Sequence, residues 1–170
     1  MHNDHVTIAD AVRRVAYMIN VPHAFTPEYP SDETRSQSCK VPVILNVYDG
    51  YMFGANAWDL AVDVEEAFGK ISELTWCHQS QIAEWLPWVG RHEMAPPKSM
   101  EDWSKILRTR FDRTTRELGL ATAHVVEVFR VTAWGMVPTL EQLLADFPDV
   151  LGKRSDLEAL GGRLRLWRGE

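Results

Sequence analysis

The sequence predicts an α/β domain in which helices dominate and strands are few. Three observations carry this expectation. Apolar residues recur at three- and four-residue steps over several long segments. Short β-branched runs sit between turn signals, and helices separate them. Two or three strands are few for such a sheet, so the chain reads as part of an α/β domain with a parallel or mixed sheet. With 170 residues it has the length of one domain, and 45% hydrophobic and 25% charged residues are globular values. Disordered and low-complexity classes are excluded.

The first element is a helix from about Val6 to Ile19. Ile8, Val12, Val15, Ala16 and Ile19 fall on one face, and Asn3 or Asp4 can cap the start. Pro22 ends it, and residues 22–42 carry four prolines among Ser, Thr and charges, an irregular connection of the length that usually has a function. Val43–Val47 is an apolar run between Pro42 and the Asp49-Gly50 turn signal and reads as a buried strand. Leu60–Val62 is a second, very short strand. Val64 to about Leu86 has helical spacing, with Asp63 as cap and Pro87 as stop, and residues 89–98 form a loop.

Ser99 caps the next helix, Glu101 and Asp102 suit its dipole, and Gly119 closes it after Leu118. His124–Val131 reads as a strand. Thr139 starts a short helix ending near Phe147-Pro148. Residues 1–150 form the domain and 151–170 a tail of weak periodicity.

Charge and composition exclude several functions. Asp and Glu outnumber Lys and Arg by 24 to 18, a net −6 that argues against nucleic acid as a partner. No run of 18 apolar residues and no basic-then-apolar leader occurs, so neither a membrane partner nor secretion is expected, and the expected location is cytoplasmic. Cys39 and Cys77 are too few for a disulfide framework or a four-cysteine zinc site. Seven Trp are the outstanding count, read either as packing or as an interface or ligand wall.

Two clusters carry candidate chemistry. His2-Asn3-Asp4-His5 places two imidazoles and a carboxylate just before a helix, where a metal or proton-transfer site is conceivable; a chance pair of histidines is the plain alternative. The second is Trp76 to Trp88. Cys77 and His78 are adjacent, so they point about 100° apart on a helix and make no dyad. His78 is expected inward as a hydrogen-bonded core residue, with Gln81 beside it, both bonding around the end of the Val43–Asp49 strand and neither holding metal. Asp49, Asp59 and Asp63 are candidate site carboxylates, although a turn and a cap account for Asp49 and Asp63.

Five stretches taken together resemble the C-terminal two-thirds of the PIG-L/LmbE family of zinc-dependent N-deacetylases. They are HNDH…RRVAYMINVP (2–22), PVILNVYDGY (42–51), WDLAVDVEEAFGK (58–70), CHQSQIAEWLPWVG (77–90) and VVEVFRVTAWGMVPTLEQLLADFP (125–148). The resemblance implies a Rossmann-like three-layer fold and removal of an acetyl group from an N-acetylglucosamine-type substrate, a small-molecule acetamido sugar or related conjugate. It implies His5 as a zinc ligand and His2 as the residue that polarises or protonates in the transition state. Asp4, Asp49, His78 and Gln81 are implied as substrate-binding or supporting residues.

The family takes two further zinc ligands and its general base from a His-Pro-Asp-Asp motif, which these 170 residues do not contain. The expectation is therefore zinc in the complete site only, no activity from this chain alone, and either self-association or a complementing N-terminal fragment as partner. The alternative is a non-catalytic binding or assembly module.

Overall fold

The computed structural model of the chain describes residues 3–19, 21, 40–49, 57–90 and 93–170. It is mixed α/β and helix-dominated, with one small three-stranded sheet. The strands are β1 (Leu45–Val47), β2 (Leu60–Asp63) and β3 (Val126–Val131), in the order β1-β3-β2. β1 runs antiparallel to β3, with Leu45 opposite Val131 and Val47 opposite Phe129. β2 also runs antiparallel to β3: Asp59 N donates to Phe129 O at 2.8 Å and Val64 N to Val125 O at 2.9 Å, so one number rises as the other falls. The expected parallel or mixed arrangement is not what these strands adopt. The chain divides into two compact units, Met1–Ala61 with Val128–Glu170, and Val62–Glu127.

In the first unit, α1 (Asn3–Met18) begins at the residues expected to cap it, and Asp4 lies in its first turn, where a carboxylate suits the dipole. Among its apolar residues whose side chains are described, Ala16 alone is buried. β1 is shorter than the expected Val43–Val47 strand and is an edge, half-covered with Val47 exposed. Pairing continues just outside it, since Thr132 donates from N and Oγ1 to Ile44 O at 3.2 and 2.8 Å. Gly135 lies so close to Pro42 O that a Cβ there would collide with the backbone.

The largest correction concerns the tail. Residues 157–168 form a helix, α6 (Leu157–Arg168), whose Leu160 and Leu164 are fully buried. Asp156 caps it by accepting from Ala159 N. It packs on α5 (Leu140–Asp146), capped by Thr139, and Gly161 makes room for Leu140.

In the second unit the expected single helix over 64–86 is three segments: α2 (Phe68–Trp76), a π-helical turn Ser80–Trp85, and α3 (Leu86–Val89). Asp63 caps no helix. It ends β2, and its Oδ1 accepts from Glu65 N at 3.0 Å, which turns the chain before α2 begins. Pro87 does not stop the helix, because it stands in the first turn of α3, where no N–H is required.

Helix α4 (Met100–Glu117) starts and ends as its sequence demands. Ser99 Oγ accepts from Asp102 N, and Gly119 at φ 70° lets Leu120 N and Gly119 N bond Thr115 O and Arg116 O. α4 packs on α2 through Phe68 and Phe111, edge to face at 6.2 Å, and through buried Trp103, whose indole donates to Thr75 Oγ1 at 2.8 Å.

Candidate functional site

The expected metal cluster falls at the start of α1. His5 and Asp4 are exposed in its first turn, and His2 lies outside the described residues. Asp49 is partly covered in the segment after β1. Among the described residues no group of three or more His, Cys, Asp or Glu side chains is placed to hold a metal ion. A catalytic zinc takes about three protein ligands and a water, so the described residues do not fit that ion by themselves.

His78 and Gln81 are a correction. Both are exposed, and among the described residues neither side chain is hydrogen-bonded, in place of the expected inward bonds around Val43–Asp49. The reason is the break between α2 and the π-helical turn. His78 O accepts both Gln81 N at 2.9 Å and Ile82 N at 3.1 Å, and the buried residue of the turn is Ile82. Cys77 is likewise exposed.

The second unit holds the best-connected polar cluster of the described residues. His124 precedes β3, and its Nδ1 lies 2.6 Å from Asp63 Oδ2 at the end of β2. Glu65 accepts from Arg108 Nη1 at 2.7 Å and from Val125 N at 2.8 Å, and Arg108 Nη2 donates to Ala123 O. Burial pushes the Asp63 carboxyl up, but the Glu65 N–H and the His124 imidazole outweigh it and leave its pKa below the ordinary value. The same contact raises His124 above its ordinary value. The Arg108 guanidinium, then the Val125 N–H, lowers Glu65. With Nδ1 fixed by a carboxylate, Nε2 is the atom through which His124 exchanges protons with its surroundings.

The first unit holds a buried carboxylate, Asp59, just before β2. Its Oδ1 accepts from Arg130 Nη1 at 3.1 Å and its Oδ2 from Val131 N at 2.9 Å. Arg163 Nη2 lies 2.6 Å from Oδ2 as an ion pair off the hydrogen-bond line, and Arg163 Nε is buried with no hydrogen-bond partner among the described residues. Arg163 also lies over the Trp167 ring, 5.1 Å from its centroid. Asp59 was legible as a candidate carboxylate; Arg130, Arg163, His124, Glu65 and Arg108 were not singled out by the sequence. Their signal was weak, since an isolated Arg or His carries no spacing motif.

Two of the seven Trp form an exposed pair in the second unit. Trp85 and Trp88 lie with ring centroids 5.2 Å apart and an interplanar angle of 31°. Trp103, by contrast, is core. Comparison of the chain with protein-family models, with curated proteins and with solved structures finds no match.

Proposed function

We propose that this chain is the C-terminal portion of a PIG-L/LmbE-type N-deacetylase acting on an N-acetylglucosamine-type small molecule. The observation that carries the reading is the order and spacing of five stretches over residues 2–148. The mixed α/β, helix-dominated content is compatible with it, whereas the antiparallel pairing of all three strands departs from the largely parallel sheet of a Rossmann-like three-layer fold. On this reading the protein works in the cytoplasm, and His5 contributes one zinc ligand and His2 a polarising imidazole to a site completed by a His-Pro-Asp-Asp segment. The described residues do not fit zinc alone, so no chemical step is assigned to them.

The test is hydrolysis of an N-acetyl sugar by the chain alone and by the chain joined to a family N-terminal segment carrying that motif. The expected result is chelator-sensitive hydrolysis only in the joined protein, lost in His5→Ala. No hydrolysis in the joined protein, or hydrolysis unaffected by His5→Ala, overturns the reading.

A second reading, a binding or assembly module, is favoured by exposed apolar side chains in each of the two units. Ile8, Val12 and Val15 of α1 are all exposed, as are Trp85 and Trp88.

A further inference from the structure

We propose that Arg163 and Arg130 form a binding site for a small oxyanion, a carboxylate or phosphate group held by the Nε–Nη2 edge of the Arg163 guanidinium. The site uses none of the residues assigned to the deacetylase reading and is independent of it. Every residue it needs lies in the first unit.

Charge is the first argument. Asp59, with a side chain only 4% exposed, meets Arg130 at 3.1 Å and Arg163 at 2.6 Å. Two guanidiniums on one carboxylate leave a positive charge in excess. Asp156 comes close in the backbone, since its N–H bonds Asp59 O, but its Oδ1 accepts from Ala159 N at the start of α6. Among the described residues no ion pair joins a second carboxylate to either arginine. A largely buried cation without its own anion is costly, so the excess charge favours an anion from solution.

Geometry is the second argument. Nε and Nη2 of Arg163 are buried, and neither has a hydrogen-bond partner among the described residues. Nη2 meets Asp59 Oδ2 off the hydrogen-bond line, and that oxygen already accepts from Val131 N at 2.9 Å. Native proteins seldom leave buried donors unmatched. The Nε–Nη2 edge can meet two oxygens of one oxyanion through parallel N–H bonds. Trp167, one turn further along α6, covers the flat face of the same guanidinium, with its ring centroid 5.1 Å from Cζ. Stacking fixes the plane and leaves the edge free to bond, which a lysine ammonium cannot imitate.

Access is from the Arg130 side, where the side chain is 36% exposed against 21% for Arg163. A small turn of the Arg163 edge away from Asp59 Oδ2 admits the oxyanion, while Asp59 keeps Arg130 and the Val131 N–H. Chloride carries the charge but offers no pair of oxygens to the edge. Selectivity for oxyanions therefore separates this site from a general attraction of anions.

The experiment titrates sodium acetate, sodium phosphate and sodium chloride, each alone, into the full chain at matched ionic strength. NMR follows the Arg163 Nε–H and the Trp167 indole N–H, identified with Arg163→Lys and Trp167→Phe. The expected result is saturable movement of both signals with acetate or phosphate and none with chloride. A response to acetate alone makes the ligand a carboxylate, and one to phosphate alone makes it a phosphate group. Arg163→Lys keeps the charge and loses the edge, so affinity read at the Trp167 indole should fall about tenfold. Arg130→Met removes the excess charge and should weaken binding several-fold. Thermal unfolding without ligand shows which variants fold, and Arg130→Met decides if Arg163→Lys does not. No saturable movement in wild type, equal movement with chloride, or unchanged affinity in a folded variant overturns the proposal and leaves the two arginines a structural role alone.

Discussion

His124 Nδ1 lies 2.6 Å from Asp63 Oδ2, which ties a residue two positions before β3 to the last residue of β2 within the second unit. The contact is two-sided. It raises His124 and helps lower Asp63, so it is strongest where the imidazole is charged and the carboxylate ionised.

That gives the pair a defined pH window. The His124 contribution is fully present below the unfolded histidine pKa and is lost as pH rises through the higher folded value. The Asp63 contribution is present above the unfolded carboxylate pKa and is lost as pH falls through the lower folded value. Wild type is therefore expected to lose stability relative to His124→Gln on going from mildly acidic to alkaline pH. Urea midpoints of both proteins at several pH values check this. Parallel curves would show that the contact contributes nothing.

Asp59 is the shared partner of three groups in the first unit. Its removal leaves the Val131 N–H and Arg130 without their acceptor and the largely buried Arg163 without its ion-pair partner. Asp59→Ala is expected to cost about 3 kcal/mol, because uncompensated buried charge is worse than no charge. Arg130 is more exposed than Arg163, so Arg130→Met is expected to cost about 1 kcal/mol or less. Chemical denaturation of the two variants tests the order; equal costs would mean that burial does not set the strength of these pairs.

α6 offers a contrast between neighbours. Leu164 is fully buried and Leu166, two residues on, is 73% exposed. Leu164→Ala is expected to destabilise by about 2–4 kcal/mol through transfer and cavity terms. Leu166→Ala should stay within about 0.5 kcal/mol. If residues 151–170 were a tail, the two variants would be indistinguishable in thermal unfolding.

The sequence made α4 legible because every level agreed: Ser99 for the cap, acids in the first turn, Trp103, Ile106, Leu107 and Phe111 on one side, and Gly119 at positive φ. It hid α6 because Gly161 and Gly162 interrupt the helical pattern, and only packing against α5 makes Gly161 useful. It hid the break after α2 because a π-helical turn keeps apolar spacing close to that of an α-helix. Ile82 stays inward while His78 and Gln81 turn out. The polar clusters were hidden for another reason. Asp59 with Arg163, and Glu65 with Arg108, are joined only by tertiary structure, across 104 and 43 positions of sequence.

The remaining prediction concerns α1. Ile8, Val12 and Val15 follow steps of four and three, so they form one stripe, and all three are exposed, Ile8 by 65%. A stripe of this kind is normally covered, and transfer of even half of such side chains out of water is worth about 1 kcal/mol each. β1, in the same unit, is an edge strand with Val47 exposed. The chain on its own is therefore expected to associate with itself at high concentration, and Ile8→Lys with Val12→Lys to weaken that association without lowering the thermal unfolding temperature. Sedimentation velocity over a concentration series reads both effects. A wild-type protein that stays monomeric throughout would show that the stripe is left uncovered, and would remove the support it gives to the assembly reading.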